Sequence, residues 1–125
     1  METVVPVEGL PKLHATPLAL VICDTPKVTV EADNEKEARV RFVFEPYQAI
    51  RMVTADCFSV SEGISIIPQT IVEIKNSTWI DELRSTLKMT DCDADFMDKA
   101  RHFLFPLQDD FLEIIAWDVR VESVV

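Results

Sequence analysis

Residues 91–102 read DCDADFMDKARH, with Asp91, Asp93, Asp95 and Asp98 crowded into eight positions, Cys92 among them and His102 at the end. Alternating aspartates are how a calcium loop begins, because hard cations take several carboxylate and carbonyl oxygens. That loop also requires glycine at its sixth position for a sharp turn and a bidentate glutamate at its twelfth. Phe96 and His102 occupy those places, so the spacing does not complete a calcium site. The better expectation is a solvated link between a helix and a strand, with Phe96 and Met97 turned inward and Asp91, Asp93 and Asp95 forming an acidic interaction surface.

The other chemistry-bearing residues are scattered. Cys23, Cys57, Cys92, His14 and His102 show neither C-x-x-C nor H-x3-H spacing, so no zinc site is expected. A cysteine nucleophile needs a base and an orienting group beside it. His14 lies in a proline-rich segment and His102 on an expected strand, and Cys57 next to Phe58 reads as a small buried hydrophobe. Three widely spaced cysteines make no disulfide framework, and reduced, partly buried thiols are expected. There is no G-x-S-x-G elbow, and Gly9 and Gly63 fit no phosphate loop. No catalytic residue, cofactor or metal is assigned.

Glu113 is the most interesting single carboxylate. By alternation it shares a face with Phe111, Ile115 and Trp117, where desolvation would raise its pKa unless a cation such as Arg101 or Arg41 paired with it. Glutamate is rarely fully buried. Glu113 is therefore expected to reach water near a hairpin tip, and to join Asp109 and Asp110 in the candidate acidic surface. Asn76-Ser77-Thr78 matches a glycosylation sequon, but helix capping explains it better.

These residues sit on elements that the pattern outlines. Pro6, Gly9, Pro11 and Pro17 make residues 1–17 an extended arm, lying on the domain or trailing from it, and 18–125 a single domain. Leu18–Asp24 and Lys27–Ala32 are short strands, the second alternating Val28 and Val30 with polar neighbours. A polar turn at 33–37 follows. Arg39–Glu45 is expected to form a hairpin with Ala49–Phe58 around Pro46, setting Ile50 opposite Phe44 and Met52 opposite Phe42. Beyond a turn at 61–63, Ile64–Ile67 and Gln69–Lys75 are interrupted by Pro68, which suggests an edge, bulge or corner.

Trp79, Ile80, Leu83 and Leu87 define the apolar stripe of a helix over about 77–89. It is capped by Thr78 with Asp81, or by Ser77 or Asn76. Arg101–Leu107 and Phe111–Glu122 read as a long hairpin whose second strand is apolar on both faces at its start, as in a centrally placed strand. The expected fold is α+β: a mainly antiparallel sheet of about seven strands with one amphipathic helix on one face.

Composition narrows the function classes. The net charge is −10, which repels nucleic acid and anionic lipid and is compatible with a basic protein partner or with solubility alone; self-association would instead cover a spare apolar face. The start METVVPVEG lacks the basic and apolar regions of a secretory signal, and no apolar run is long enough to span a bilayer. A soluble, cytoplasmic protein is expected.

The stretch RHFLFPLQDDFLEIIAWDVRVE (101–122) resembles small bacterial α+β toxin-immunity proteins. These end in an apolar strand, an acidic turn and a strand carrying a glutamate amid apolar residues, and Asp109, Asp110 and Glu113 hold the comparable places. The resemblance implies an acidic, non-enzymatic protein that covers a toxin's active site, with steering by charge. The alternative is a small-molecule binder or enzyme with a pocket between helix and sheet, lined by Phe42, Tyr47, Trp79 and Trp117.

Overall fold

A computed structural model describes residues 1–58 and 66–124. Among them are nine strands and one α-helix: β1 (Thr3–Pro6), β2 (Leu20–Asp24), β3 (Lys27–Asp33), β4 (Arg39–Phe44), β5 (Tyr47–Thr54), β6 (Val72–Lys75), α1 (Thr78–Thr90), β7 (Arg101–Pro106), β8 (Asp110–Ala116) and β9 (Val119–Ser123). Every pairing is antiparallel. The expected α+β class holds, but the strands form two sheets, ordered β1-β6-β7-β8-β5 and β2-β3-β4-β9.

Strand alternation builds the layers. Val28, Val30 and Ala32 of β3 and Val40, Phe42 and Phe44 of β4 turn one way; Phe103, Phe105, Leu112, Ile114 and Ala116 of the other sheet meet them in a shared core. Phe42 stands edge-on to Phe105 with ring centroids 5.1 Å apart, and Phe44 meets Phe103 at 5.3 Å. Burying each such ring contributes about 1.5–3 kcal/mol. The second face of the five-stranded sheet carries α1: Ile80, Trp79, Leu83 and Leu87 pack with Ala49, Met97 and Ile115. The molecule is thus three-layered, sheet on sheet on helix. β8 lies between β7 and β5 and is covered on both sides, which explains its doubly apolar start.

Three expectations are corrected. First, β4 and β5 are not a hairpin. Pro46 has no N–H to continue a ladder, and the chain crosses there from one sheet to the other. The apolar matching intended for β4 is met by β8 instead, with Ile50 opposite Ile114 and Met52 opposite Leu112. Second, the strand expected over 111–122 breaks at Trp117-Asp118, and β9 pairs with β4. Val119 and Val121 lie opposite Phe44 and Phe42, toward the shared core, whereas Phe111, Glu113 and Ile115 face the helix layer. Third, Cys23, Cys57 and Cys92 are all exposed, since they fall on an edge strand, a 3₁₀ turn at Ala55–Cys57 and the acidic loop.

Of the two placements considered for residues 1–17, the structure has the segment on the domain. β1 adds to β6 in register Thr3 to Lys75, and Leu13 is fully buried and bridges Asn34. The Leu13 backbone exchanges hydrogen bonds with Gln69, donating at 2.8 Å to its carbonyl and accepting at 2.9 Å from its amide side chain. The turn expected at 61–63 and the first half of the run 64–67 lie outside the described residues. Pro68 sits in a turn ahead of β6, and that strand is shorter than the sequence suggested.

Candidate functional site

A chain of buried polar groups ties α1 to the sheet beneath it. Ser77, the residue that caps α1, accepts the Ile80 N–H at 3.1 Å through its hydroxyl. The same oxygen lies 2.7 Å from His102 Nδ1, and His102 Nε2 lies 2.7 Å from Glu113 Oε1. Arg51 donates to Glu113 twice, through Nε at 2.7 Å and Nη2 at 3.1 Å. The bonding is satisfied with the imidazole proton on Nε2 facing the carboxylate and Nδ1 accepting the serine hydroxyl.

Each position follows from the sheet. Cross-strand partners share a face, so Arg51 and Leu104 flank Glu113, and His102 stands beside Ile115. Asn76, in the left-handed region at φ 57°, turns the chain sharply from β6 into α1 and brings Ser77 over His102. Trp79 closes the roof: the Arg51 guanidinium lies 3.9 Å from its ring centre, and His102 meets it edge-on.

Glu113 is 1% exposed, so it does not reach water and cannot belong to an acidic surface. Its partners are Arg51 and His102, not Arg101 or Arg41. Burial by itself would push its carboxyl up; hydrogen bonds from His102 and Arg51, together with the Arg51 charge, outweigh that and hold it below the ordinary glutamate value. Arg41 instead pairs with Glu31 and Glu122. Arg101 pairs with Glu73 at 2.8 Å and Asp118 at 3.0 Å. Glu73 repeats the logic on the opposite face of the sheet: burial raises its carboxyl, and Arg101 and Lys75 bring it below the usual range.

Hydroxyl, imidazole and carboxylate in sequence is the connectivity of a hydrolytic triad. Two features separate this one from a working centre. Ser77 is 4% exposed, and its oxygen is engaged in capping α1 through the Ile80 N–H. A nucleophile needs an open approach and donors about 3 Å from the developing oxyanion. The groove that reaches Ser77, about 380 Å³, is lined by charged side chains including Lys75, Asp81, Arg84 and Arg101.

The remaining candidates do not converge. Asp91, Asp93 and Asp95 are exposed on the loop after α1. Exposed Asp109 and half-buried Asp110 lie across β7, a strand of six residues and so about 20 Å long, at its other end. Among the described residues no group of three or more His, Cys, Asp or Glu side chains is arranged to hold a metal ion. The four aromatic residues considered for a helix–sheet pocket are also dispersed. Phe42 is in the inter-sheet core, Trp79 covers the buried chain, and Trp117 donates to the Phe96 carbonyl.

Tyr47 alone of these four lines a groove between α1, the 3₁₀ turn at Phe96–Lys99 and the start of β5. The space is about 400 Å³ and its walls are mainly apolar.

Sequence reasoning missed Ser77, His102 and Arg51 as a unit, and Glu73 entirely. The available signal was charge embedded in apolar strands: Glu73 in IVEI, His102 in RHFL and Glu113 in FLEII. Comparison with protein-family models, curated proteins and solved structures finds no match for the chain. No helix among the described residues is long and apolar enough to cross a membrane.

Proposed function

We propose that this chain acts by binding another protein and performs no chemistry of its own. One observation carries the proposal: the single hydroxyl–imidazole–carboxylate cluster among the described residues is buried and closed on itself, bonded inward at every step. Buried networks that are fully satisfied position elements and specify a packing. A working nucleophile stays approachable.

The net charge of −10 and the exposed carboxylates on the loop after α1 support a basic partner, whose encounter the field would accelerate. The similarity of 101–122 to toxin-immunity proteins names the finer form of the proposal: a cytoplasmic immunity protein that covers a toxin's active site. Self-association, through a spare apolar face and against the repulsion of like charge, is the other form of protein binding.

The test has two arms. A fluorophosphonate probe, which derivatises accessible activated serines, is expected to leave Ser77 unmodified in the folded protein at neutral pH. A stoichiometric Ser77 adduct would overturn the non-catalytic assignment. For the finer form, a toxin encoded in the adjoining reading frame should arrest growth alone and fail to do so when this chain is co-produced. Arrest that is equal with and without the chain would remove the immunity assignment.

A further inference from the structure

The apolar groove beside α1 carries a more specific statement about the partner, and it rests on the protein-binding function proposed above. Leu83 and Leu87, one turn apart on α1, form one wall; Phe96 and Met97 form the other, and Tyr47 and Gln48 close the end. Phe96 is 43% exposed. A large apolar side chain left in water on the wall of a concave apolar space marks a place where another surface sits.

The polar groups are as informative. Gln48 Oε1 is out of contact with water and has no hydrogen-bond partner, while the amide nitrogen of the same side chain donates to the Pro46 carbonyl at 3.1 Å. An acceptor left unpaired costs about 1–3 kcal/mol. Gln48 lines the end of the groove, and a turn of its side chain that brought this oxygen to a donor seated there would remove that cost.

The rim is acidic. From Asp81 to Lys99 the chain holds six acidic residues and three basic ones. The three cations are engaged locally. Arg84 pairs with Asp81 and Asp98. Lys88 donates to the Cys92 and Ala94 carbonyls, pinning the loop. Lys99 lies over the Trp117 ring. Glu82, Asp91, Asp93 and Asp95 have no ion-pair partner among the described residues, and all four are exposed on the helix and the following loop, the segments that supply Leu83, Leu87 and Phe96 to the groove.

We propose that this groove receives an amphipathic cationic segment of a partner protein, with apolar side chains seated between Leu83, Leu87 and Phe96 and with Lys or Arg flanking them against Asp91, Asp93, Asp95 and Glu82. Charge selects this occupant. A second copy of the chain would bring another net −10, and an acidic peptide, nucleic acid or anionic lipid surface meets the same repulsion. Helix-in-groove recognition supplies the geometry, with anchors one turn apart.

The probe is a short amphipathic peptide with leucine on one face and lysine on the other, compared with its leucine–glutamate counterpart, titrated into the isotope-labelled full chain by NMR. The lysine peptide is expected to shift the amides of Gln48, Leu83, Leu87 and residues 91–97, and the glutamate peptide to shift none of them. Phe96→Ser removes an exposed anchor without touching the core. It should weaken binding about tenfold, or 1.4 kcal/mol. Asp91→Asn, Asp93→Asn and Asp95→Asn together should weaken it and flatten its salt dependence.

Shifts spread over the whole surface and indifferent to Phe96→Ser would mean non-specific attraction and overturn the groove. No shift at millimolar peptide would overturn it as well. A natural partner whose affinity ignores Phe96→Ser would remove the groove and leave protein binding standing, whereas a Ser77 adduct would remove the broader function irrespective of the groove.

Discussion

Glu113→Gln is the sharpest probe of the buried chain. The substitution keeps shape and volume and deletes one charge. Arg51 then faces an amide in place of a carboxylate that it grips at 2.7 and 3.1 Å. Losing a hydrogen bond to a charged group costs about 1.5–3 kcal/mol, and breaking a fully buried ion pair costs about 3–5 kcal/mol. The Arg51 side chain is 47% exposed, so it recovers water and the upper range does not apply. His102 retains an acceptor in the new amide oxygen.

The expected loss is therefore about 2–3 kcal/mol at neutral pH. For a domain of this size that is a fall in Tm of roughly 6–15 °C. The pH dependence has a definite sign. The folded carboxyl lies below its ordinary value, so its contribution is complete above the unfolded value of about 4.3 and disappears as pH falls through the folded one. Urea midpoints of wild type and variant should differ at pH 7 and converge in acid. A variant as stable as wild type at neutral pH, or a gap that persists undiminished well below pH 4, would refute a structural role. A more stable variant would point to a strained group kept for catalysis.

Ser77→Ala removes a helix cap and a partner of His102 together; a loss of about 1–2 kcal/mol by chemical denaturation is expected, and no measurable loss would contradict the capping geometry. Leu13→Ala should cost about 2–5 kcal/mol, as a fully buried leucine does. A change below half a kcal/mol, by the measure of ordinary surface sites, would show that the N-terminal segment is not part of the core. All three cysteines should react with an aromatic disulfide reagent in native buffer as completely as in denaturant, because each is exposed; any thiol that reacts only after unfolding would contradict its placement.

The class of fold was legible because it rests on local period. Val28 and Val30 alternate, Trp79, Ile80, Leu83 and Leu87 recur at helical spacing, and both patterns survive into the structure. The partition into two sheets was not, because strand pairing is non-local. Ile50 and Met52 find apolar partners equally well on β4 or β8, and nothing within β5 distinguishes the two. The buried polar chain was hidden for a related reason. Glu113 sits three residues into β8, which looks close to a tip and water; what buries it are Trp79 and Arg51, from elements more than thirty residues away in sequence. The cysteines erred in the opposite direction, since residue type favoured burial and local position decided against it.

The same chain of contacts has a consequence for the groove. Ile80 is the only buried residue of α1, and the rest of its apolar stripe is half-covered. A helix held by so little apolar contact can rotate or slide on a sheet at small cost. Ser77, His102 and Glu113 remove that freedom at one end, where directional bonds at 2.7 Å admit one placement. Arg84, bonded to the Met97 carbonyl, fixes the flank. The spacing between Leu87 and Phe96 is then set by polar contacts more than by oil. Replacing Arg51, His102 and Glu113 together with Met, Leu and Leu, with the Ser77 cap kept, should therefore leave stability within about 1–2 kcal/mol of wild type, since apolar substitutes for a whole buried ionic cluster are often neutral. Amide exchange along 78–90 should nevertheless accelerate, and cationic-peptide binding at the groove should weaken. Unchanged exchange in α1 beside unchanged peptide affinity would mean that the helix needs no polar anchor, and that the buried chain was retained for some other purpose.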